Sequence, residues 1–155
     1  MSGVGRCLRA GVLSAALLLA LSGCSGDPEG MTARGSLAEL RETGATILEA
    51  AAEGGELVEQ PTRDVPCGGL GGNEWSKITY SYEAAHGLAK DPDESLGSAI
   101  AAMEALGIES DPVSVGPTGP EVSFHGEGFD GGLVVRENGL IEVRAQTTCL
   151  DNPDR

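Results

Sequence analysis

The hydrophobic pattern of the chain opens on a mostly apolar run of about a dozen residues, Ala10 to Leu21, and only later settles into periods that a folded domain can use. Residues Ser25 to Gly35 are polar, contain several glycines and show no apolar period, the pattern of a flexible tether. From Ser36 the period becomes helical. Leu37, Leu40, Ile47, Leu48 and Ala51 fall on one face, Ser36 with Glu39 matches a capping box, and Gly54-Gly55 supplies a stop. Gly44, inside this helix, costs about 1 kcal/mol of propensity against alanine. The polar face is acidic, whereas a membrane-surface helix carries Lys and Arg, so the stripe predicts packing against a core.

A short strand is expected over Glu56–Glu59 and a loop over Gln60–Gly72. Trp75 to Glu83 alternates, with Ile78, Tyr80 and Tyr82 on one face and Lys77, Thr79, Ser81 and Glu83 on the other, which predicts a half-buried strand. A second helix is marked at both ends. Asp91 is its N-cap, Pro92 its first position and Glu94 its capping-box partner; Leu96, Ala99, Ile100, Met103 and Leu106 form the stripe, and Gly107 ends it. Short strands follow at Val113–Val115 and Glu121–His125, separated by the turn Gly116 to Pro120. A hairpin, Leu133–Glu137 with Leu140–Thr148, turns on Asn138-Gly139. A two-residue turn there sets Val134 opposite Val143, and strand parity points Cys149 toward the core together with Ile141 and Val143. The expected fold is α+β: an antiparallel sheet of about four to five strands, with two helices packed on one face. No internal repeat is visible, and 155 residues suffice for one domain and an export segment.

Charge narrows the setting. The chain has 10 Lys+Arg against 24 Asp+Glu. Arg6 and Arg9 precede every acidic residue, so the chain from Cys24 onward carries 8 basic and 24 acidic groups, a formal charge of −16. Such a surface repels nucleic-acid phosphates and anionic head groups alike, so membrane residence calls for a covalent anchor. Most of the acidity reads as a well-solvated surface. The preference for Arg over Lys and the abundance of Gly and Ala suggest a high-GC genome such as an actinobacterium's.

The first 23 residues supply the anchor's signal. Arg6 and Arg9 form a basic n-region, the apolar run is too short to span a membrane, and small residues Ser22 and Gly23 precede Cys24. Leu21-Ser22-Gly23-Cys24 resembles the lipobox of bacterial lipoproteins. That resemblance implies a signal peptide over 1–23, cleavage between Gly23 and Cys24, and diacylglyceryl on the Cys24 thiol. One acyl chain, at about 0.8 kcal/mol per CH₂, binds only marginally, whereas two hold durably. The domain plan is therefore signal peptide 1–23, lipidated tether 24–35 and a single extracytoplasmic domain 36–155.

Cys7 is discarded with the signal, which leaves Cys67 and Cys149 as an even pair in an exported domain and predicts a disulfide. A zinc site would need more ligands than His86 and His125 offer, with no CxxC or HxxxH spacing. No nearby partner marks either cysteine as redox-active. The glycine-rich run Cys67 to Gly72 lacks the Lys-Ser/Thr ending of a phosphate loop, and there is no G-x-S-x-G, HExxH or EF-hand spacing. Trp75, Tyr80 and Tyr82 could form a ligand platform, but with one Trp, two Tyr and two Phe in the chain the core needs them.

The order of lipobox, tether, helix, Pro66-Cys67-Gly68-Gly69, aromatic strand, helix, hairpin and a terminal Cys149 strand resembles small actinobacterial lipoproteins of the mycobacterial LppA type. The resemblance implies an α+β domain and no particular activity. The functional expectation is a non-enzymatic protein, lipid-anchored on the extracytoplasmic face of the cell membrane, with no cofactor, no metal and no nucleic acid, that binds a protein or envelope partner. The alternative is a small-ligand carrier that uses an apolar cavity between helices and sheet.

Overall fold

The computed structural model describes residues 32–154, so the signal segment, Gly23 and Cys24 lie outside the described residues. Helix α1 spans Ala33–Ala51 and helix α2 Pro92–Ala105. The strands, in chain order, are β1 Ala52–Gly54, β2 Val58–Glu59, β3 Arg63–Gly68, β4 Glu74–Ala89, β5 Glu109–Ser110, β6 Ser114–Gly116, β7 Gly119–Gly126, β8 Phe129–Val135, β9 Leu140–Thr147 and β10 Leu150–Asp151. All ten join one antiparallel sheet in six rows. The 16-residue β4 takes β1, β2 and β3 along one edge and β9 and β10 along the other, and β8, β7 and the short β5 and β6 complete the order. The α+β class and the single-sided helices hold. The sheet is larger than four to five strands, because a strand of this length pairs with several short segments that carry little apolar alternation of their own.

Helix α1 starts one turn earlier than the Ser36 capping box suggests. Thr32 is the N-cap and accepts from the Gly35 N–H at 3.1 Å, and the Ser36 N–H already donates to the Thr32 carbonyl at 2.9 Å. The extra turn buries Ala33 against Ile78 and Leu150, which rewards the extension. Ser36 therefore lies on the buried face. The helix ends at Ala51 and runs directly into β1, where Ala52 pairs with Ala89. Gly54-Gly55 is not its stop. Gly55 instead lies so close to Gly87 that a Cβ there would come within 2.6 Å of the Gly87 Cα.

The core forms where α1 and α2 cover one sheet face. Leu40, Ile47, Leu48, Leu96, Ala99 and Met103 from the helices meet Tyr82, Val122, Phe124, Leu133, Ile141 and Val143 from the strands, all buried. Helix α2 follows its sequence closely: the Asp91 carboxylate accepts from the Asp93 N–H at 3.0 Å, and Gly107 turns the chain at φ 73°. Leu106 forms the C-cap and is exposed; Ile108 takes its place in the core.

Two strands were hidden by glycine and by exposure. The expected loop over Gln60–Gly72 contains β3, an edge strand that tolerates Pro66 because edge positions need no full ladder. Strand β8 begins at Phe129 rather than Leu133, running through Gly131-Gly132. Two rings explain why. A Cβ on Gly131 would come within 2.6 Å of the Phe124 ring and one on Gly126 within 2.3 Å of the Phe129 ring, and the two rings pack edge to face at 6.4 Å. The β8–β9 register also differs by one. Leu133, not Val134, faces Val143. The Gly139 N–H donates to Arg136 at 2.9 Å and the Arg136 N–H to Leu140 at 2.8 Å, a three-residue loop with Gly139 at φ 82° instead of a two-residue turn.

The disulfide Cys67–Cys149 is present, with Cα atoms 6.0 Å apart and a sequence separation of 82. Cys149 is exposed rather than buried, because β9 ends at Thr147 and the chain leaves strand parity before Leu150 returns to the interior. Thr147 marks that departure: buried, its Oγ1 accepts from the Tyr80 N–H at 2.9 Å.

Gly44 explains itself in the packed structure. A Cβ there would come within 2.5 Å of the Tyr82 ring, so the helix gives up propensity to let the ring lie against its backbone. Gly97, on the exposed side of α2, has open space instead. Two alanine substitutions in helices should therefore have opposite signs. Gly97→Ala should gain about 0.5–1 kcal/mol from propensity. Gly44→Ala should lose about 1–3 kcal/mol through overpacking. Urea titrations of both variants would read this directly, and a stabilised Gly44→Ala would contradict the packing described.

Candidate functional site

With both helices on one side, the opposite sheet face is uncovered among the described residues. The register aligns three rows of side chains across β4, β9, β8 and β7: Ala85, Glu142, Val134 and Glu121; then Glu83, Arg144, Gly132 and Ser123; then Ser81, Gln146, Asp130 and His125. Nothing projects at Gly132, in the middle row, where even an added Cβ would meet no atom nearer than 3.6 Å. The result is a hollow in the sheet surface with Arg144 beside it. Three contiguous depressions, of about 370, 400 and 250 Å³, all have Arg144 in their lining.

The electrostatics of this face are mixed. Glu142 pairs with Arg136, and Arg144 lies 3.5 Å from the same carboxylate with its side chain 63% exposed. The Arg136 pKa is raised above its usual value, first by the hydrogen bond to Glu142. Arg144 is the cation left facing outward, and its planar fork suits a carboxylate or a carbonyl-rich backbone. At the β7 edge, His125 stands between Asp111 at 3.6 Å and Asp130 at 3.9 Å, half-exposed. No hydrogen bond joins it to Ser81 or Ser123 among the described residues. Nor is there, among those residues, a group of three or more His, Cys, Asp or Glu able to hold a metal.

A fourth depression, of about 370 Å³, opens between α1 and the β7–β8 turn. Phe129 and Ile108 line it together with Glu39, Glu42 and Glu127. Of the expected aromatic platform, Tyr82 is fully buried, Tyr80 half-buried, and Trp75 sits near the start of β4. The three do not form one surface. Cys67 and Cys149 are brought together as expected, and Cys24 lies outside the described residues. The Arg144 face itself was not singled out from sequence. Its signal is an arginine at an outward position of a central strand, opposite a glycine pair that interrupts the next one. No helix among the described residues is long and apolar enough to cross a membrane.

No protein family, curated protein or solved structure matches the chain.

Beneath this face, Tyr82 links sheet and helix electrostatically. Its hydroxyl donates to Glu59 at 3.0 Å, and Arg41 lies 3.5 Å from the same carboxylate. Burial, then the bond to Glu59, pushes the phenol pKa well above its ordinary value. The raised native pKa means that the unfolded chain ionises first. The contribution to stability is complete below a pH of about 10, the unfolded tyrosine value, and is lost as pH rises toward the native value. Unfolding free energy measured between about pH 8 and 11 should fall more steeply in the parent than in Tyr82→Phe. Parallel curves would show that Tyr82 does not carry the alkaline dependence.

Proposed function

We propose that this chain is a lipid-anchored protein of the cell envelope that binds a protein partner with its uncovered sheet face. Residues 1–23 act as an export signal cut between Gly23 and Cys24, and acyl chains on Cys24 hold the domain on the extracytoplasmic side. The observation that carries the binding reading is the open face centred on Arg144 and Gly132. Its mixed charges, with Glu83, Glu121 and Asp130 around an outward arginine, suit a protein surface better than a polyanion. Three contiguous depressions offer room for partner side chains around one charged anchor, the arrangement of an interaction hot spot. The resemblance to LppA-type lipoproteins belongs to the same proposal and assigns no activity.

The packing weighs against the carrier alternative. The space between helices and sheet is filled by fully buried Leu40, Ile47, Leu48 and Met103 against Tyr82 and Leu133. The depression beside α1 is open and rimmed by carboxylates, unlike the enclosed apolar cavity that a lipophilic ligand needs. A binding module rather than an enzyme fits the site, since Ser81 and Ser123 have no base hydrogen-bonded to them.

Two measurements test this reading. Mass spectrometry of the mature N-terminus should show Cys24 as the first residue, carrying diacylglyceryl; an unmodified Cys24 or another cleavage site refutes the anchor. A photo-crosslinking residue placed at Gln146 in the native envelope should capture one defined protein. Arg144→Glu should weaken that capture by about tenfold or more, as expected for losing about 1.4 kcal/mol or more at a hot spot. Gly132→Leu, whose Cβ meets no atom nearer than 3.6 Å and whose side chain would occupy the hollow, should do the same. Capture unaffected by both substitutions would remove the face from function.

A further inference from the structure

The β3–β4 hairpin ends in Gly68-Gly69-Leu70-Gly71-Gly72-Asn73, and the Leu70 side chain at its tip is fully exposed. The tip is well held. The Gly72 N–H donates to the Gly69 carbonyl at 3.2 Å, Gly68 pairs with Glu74, and Cys67 is tied to Cys149. Trp75 follows Glu74, 38% exposed, its carbonyl accepting from Asn152 Nδ2 at 2.9 Å. No charged residue lies between Asp64 and Glu74, although the chain from Cys24 onward has 24 acidic groups, and the Glu74 side chain folds against Gly69. A glycine-flanked leucine at the apex of an uncharged run, with a tryptophan at its base, has the chemistry of an interfacial membrane contact, since Trp favours the head-group level and Leu the acyl boundary.

Its position in the fold decides the partner. Helix α1 runs in the same direction as β4: Ala33 packs on Ile78, Gly44 on Tyr82, and Ala52 pairs with Ala89. Tracing β4 backwards from Ile78 to Glu74 therefore leads past the start of α1, by about 13 Å at 3.3 Å per residue. The hairpin tip lies further out on the same side. That is the pole at which the chain from Cys24 enters, and Asp154 closes it by pairing with Arg34 at 2.7 Å. Thr32 is eight positions from Cys24, a reach of at most about 28 Å even fully extended. A domain so tethered presents this pole, and with it Leu70, to the lipid surface.

We propose that the Leu70 hairpin tip is a second membrane contact, which inserts at the head-group level of the bilayer that holds Cys24. The inference rests on the lipid-anchor reading. One leucine and one tryptophan bind too weakly to recruit the domain alone; the anchor supplies the effective concentration at which they engage. Inserted, the tip stands β4 away from the membrane and turns the Arg144 face sideways, toward neighbours in the same envelope layer.

The test uses the chain from Cys24 onward, where Cys24 is the one free thiol because Cys67 and Cys149 are bonded to each other. Cys24 is coupled to a maleimide head-group lipid in phosphatidylcholine vesicles that contain acyl-brominated lipid. Trp75, the chain's only tryptophan, is the reporter. Coupled protein should show blue-shifted, bromine-quenched Trp75 emission. Leu70→Asp should cut the quenching by about twofold or more, and Val115→Asp, at an exposed position on β6, should leave it unchanged. Equal quenching in parent and Leu70→Asp, or emission identical in coupled and free protein, overturns the proposal. Chemical coupling does not depend on cellular lipidation. Failure here is thus distinct from an unmodified native Cys24, which would sink the anchor reading instead.

Discussion

Backbone hydrogen-bonding demand along β4 organises the domain. A 16-residue strand exposes donors and acceptors on both edges, and each buried one must find a partner or cost about 1–3 kcal/mol. Five segments answer that demand: β1, β2 and β3 on one edge, β9 and β10 on the other. Several are two or three residues long and could not persist as strands alone. Their existence follows from β4, and β4 is in turn held to the helical layer by the Tyr82 ring lying on Gly44. The Cys67–Cys149 bond then joins β3 to the β9–β10 link, so the two edges of β4 are fastened to each other as well as to it. Closing so long a loop removes unfolded-state entropy worth about 4–5 kcal/mol in the chain model.

This dependence explains which elements could be read from sequence. Helix α2 was legible throughout, since Asp91, Pro92 and Gly107 act locally and need no knowledge of the rest of the fold. The alternation from Ile78 to Tyr82 was legible because one face of that strand meets the core. Strands β1 and β3 leave little trace, for they are recruited by pairing and bury little, whereas β2 lies within the short strand expected over Glu56–Glu59. The start of α1 was misplaced for a related reason: Ser36 with Glu39 is a good local cap, but burial of Ala33 against Ile78 and Leu150 outweighs it. Local chemistry decides where tertiary contacts are neutral, and yields where they are not.

Asymmetry is the second consequence of the topology. Chain connectivity puts α1 before the sheet and α2 after β4, both on the same face, and no element among the described residues covers the other. An antiparallel sheet accepts this arrangement provided its outer face is polar. Here Ser81, Glu83, Glu142, Arg144, Gln146 and Asp130 outnumber the apolar Ala85 and Val134 on that face, which meets the condition and at the same time builds a surface with specific charge placement. The polarity that keeps the open face soluble is also what could make it selective.

The hardest part of the sheet to read from sequence is also the centre of its candidate site. Gly131-Gly132 reads as an interruption, since glycine weakens a strand and offers no side chain to either face. In the folded chain the two glycines serve opposite faces. Gly131 points inward and makes room for Phe124, which restores the burial that a larger residue would have supplied. Gly132 points outward, and its missing side chain is the hollow beside Arg144. One substitution would disturb the core and the other only the surface, although the residues are neighbours and identical. A sequence pattern treats them alike; only the period-two geometry of β8, fixed by the three-residue loop before β9, separates a packing glycine from a site-forming one. The loop at Asn138-Gly139 thus sets more than a turn. A loop one residue shorter would set Val134 instead of Leu133 opposite Val143 and turn the buried Leu133 out of the core.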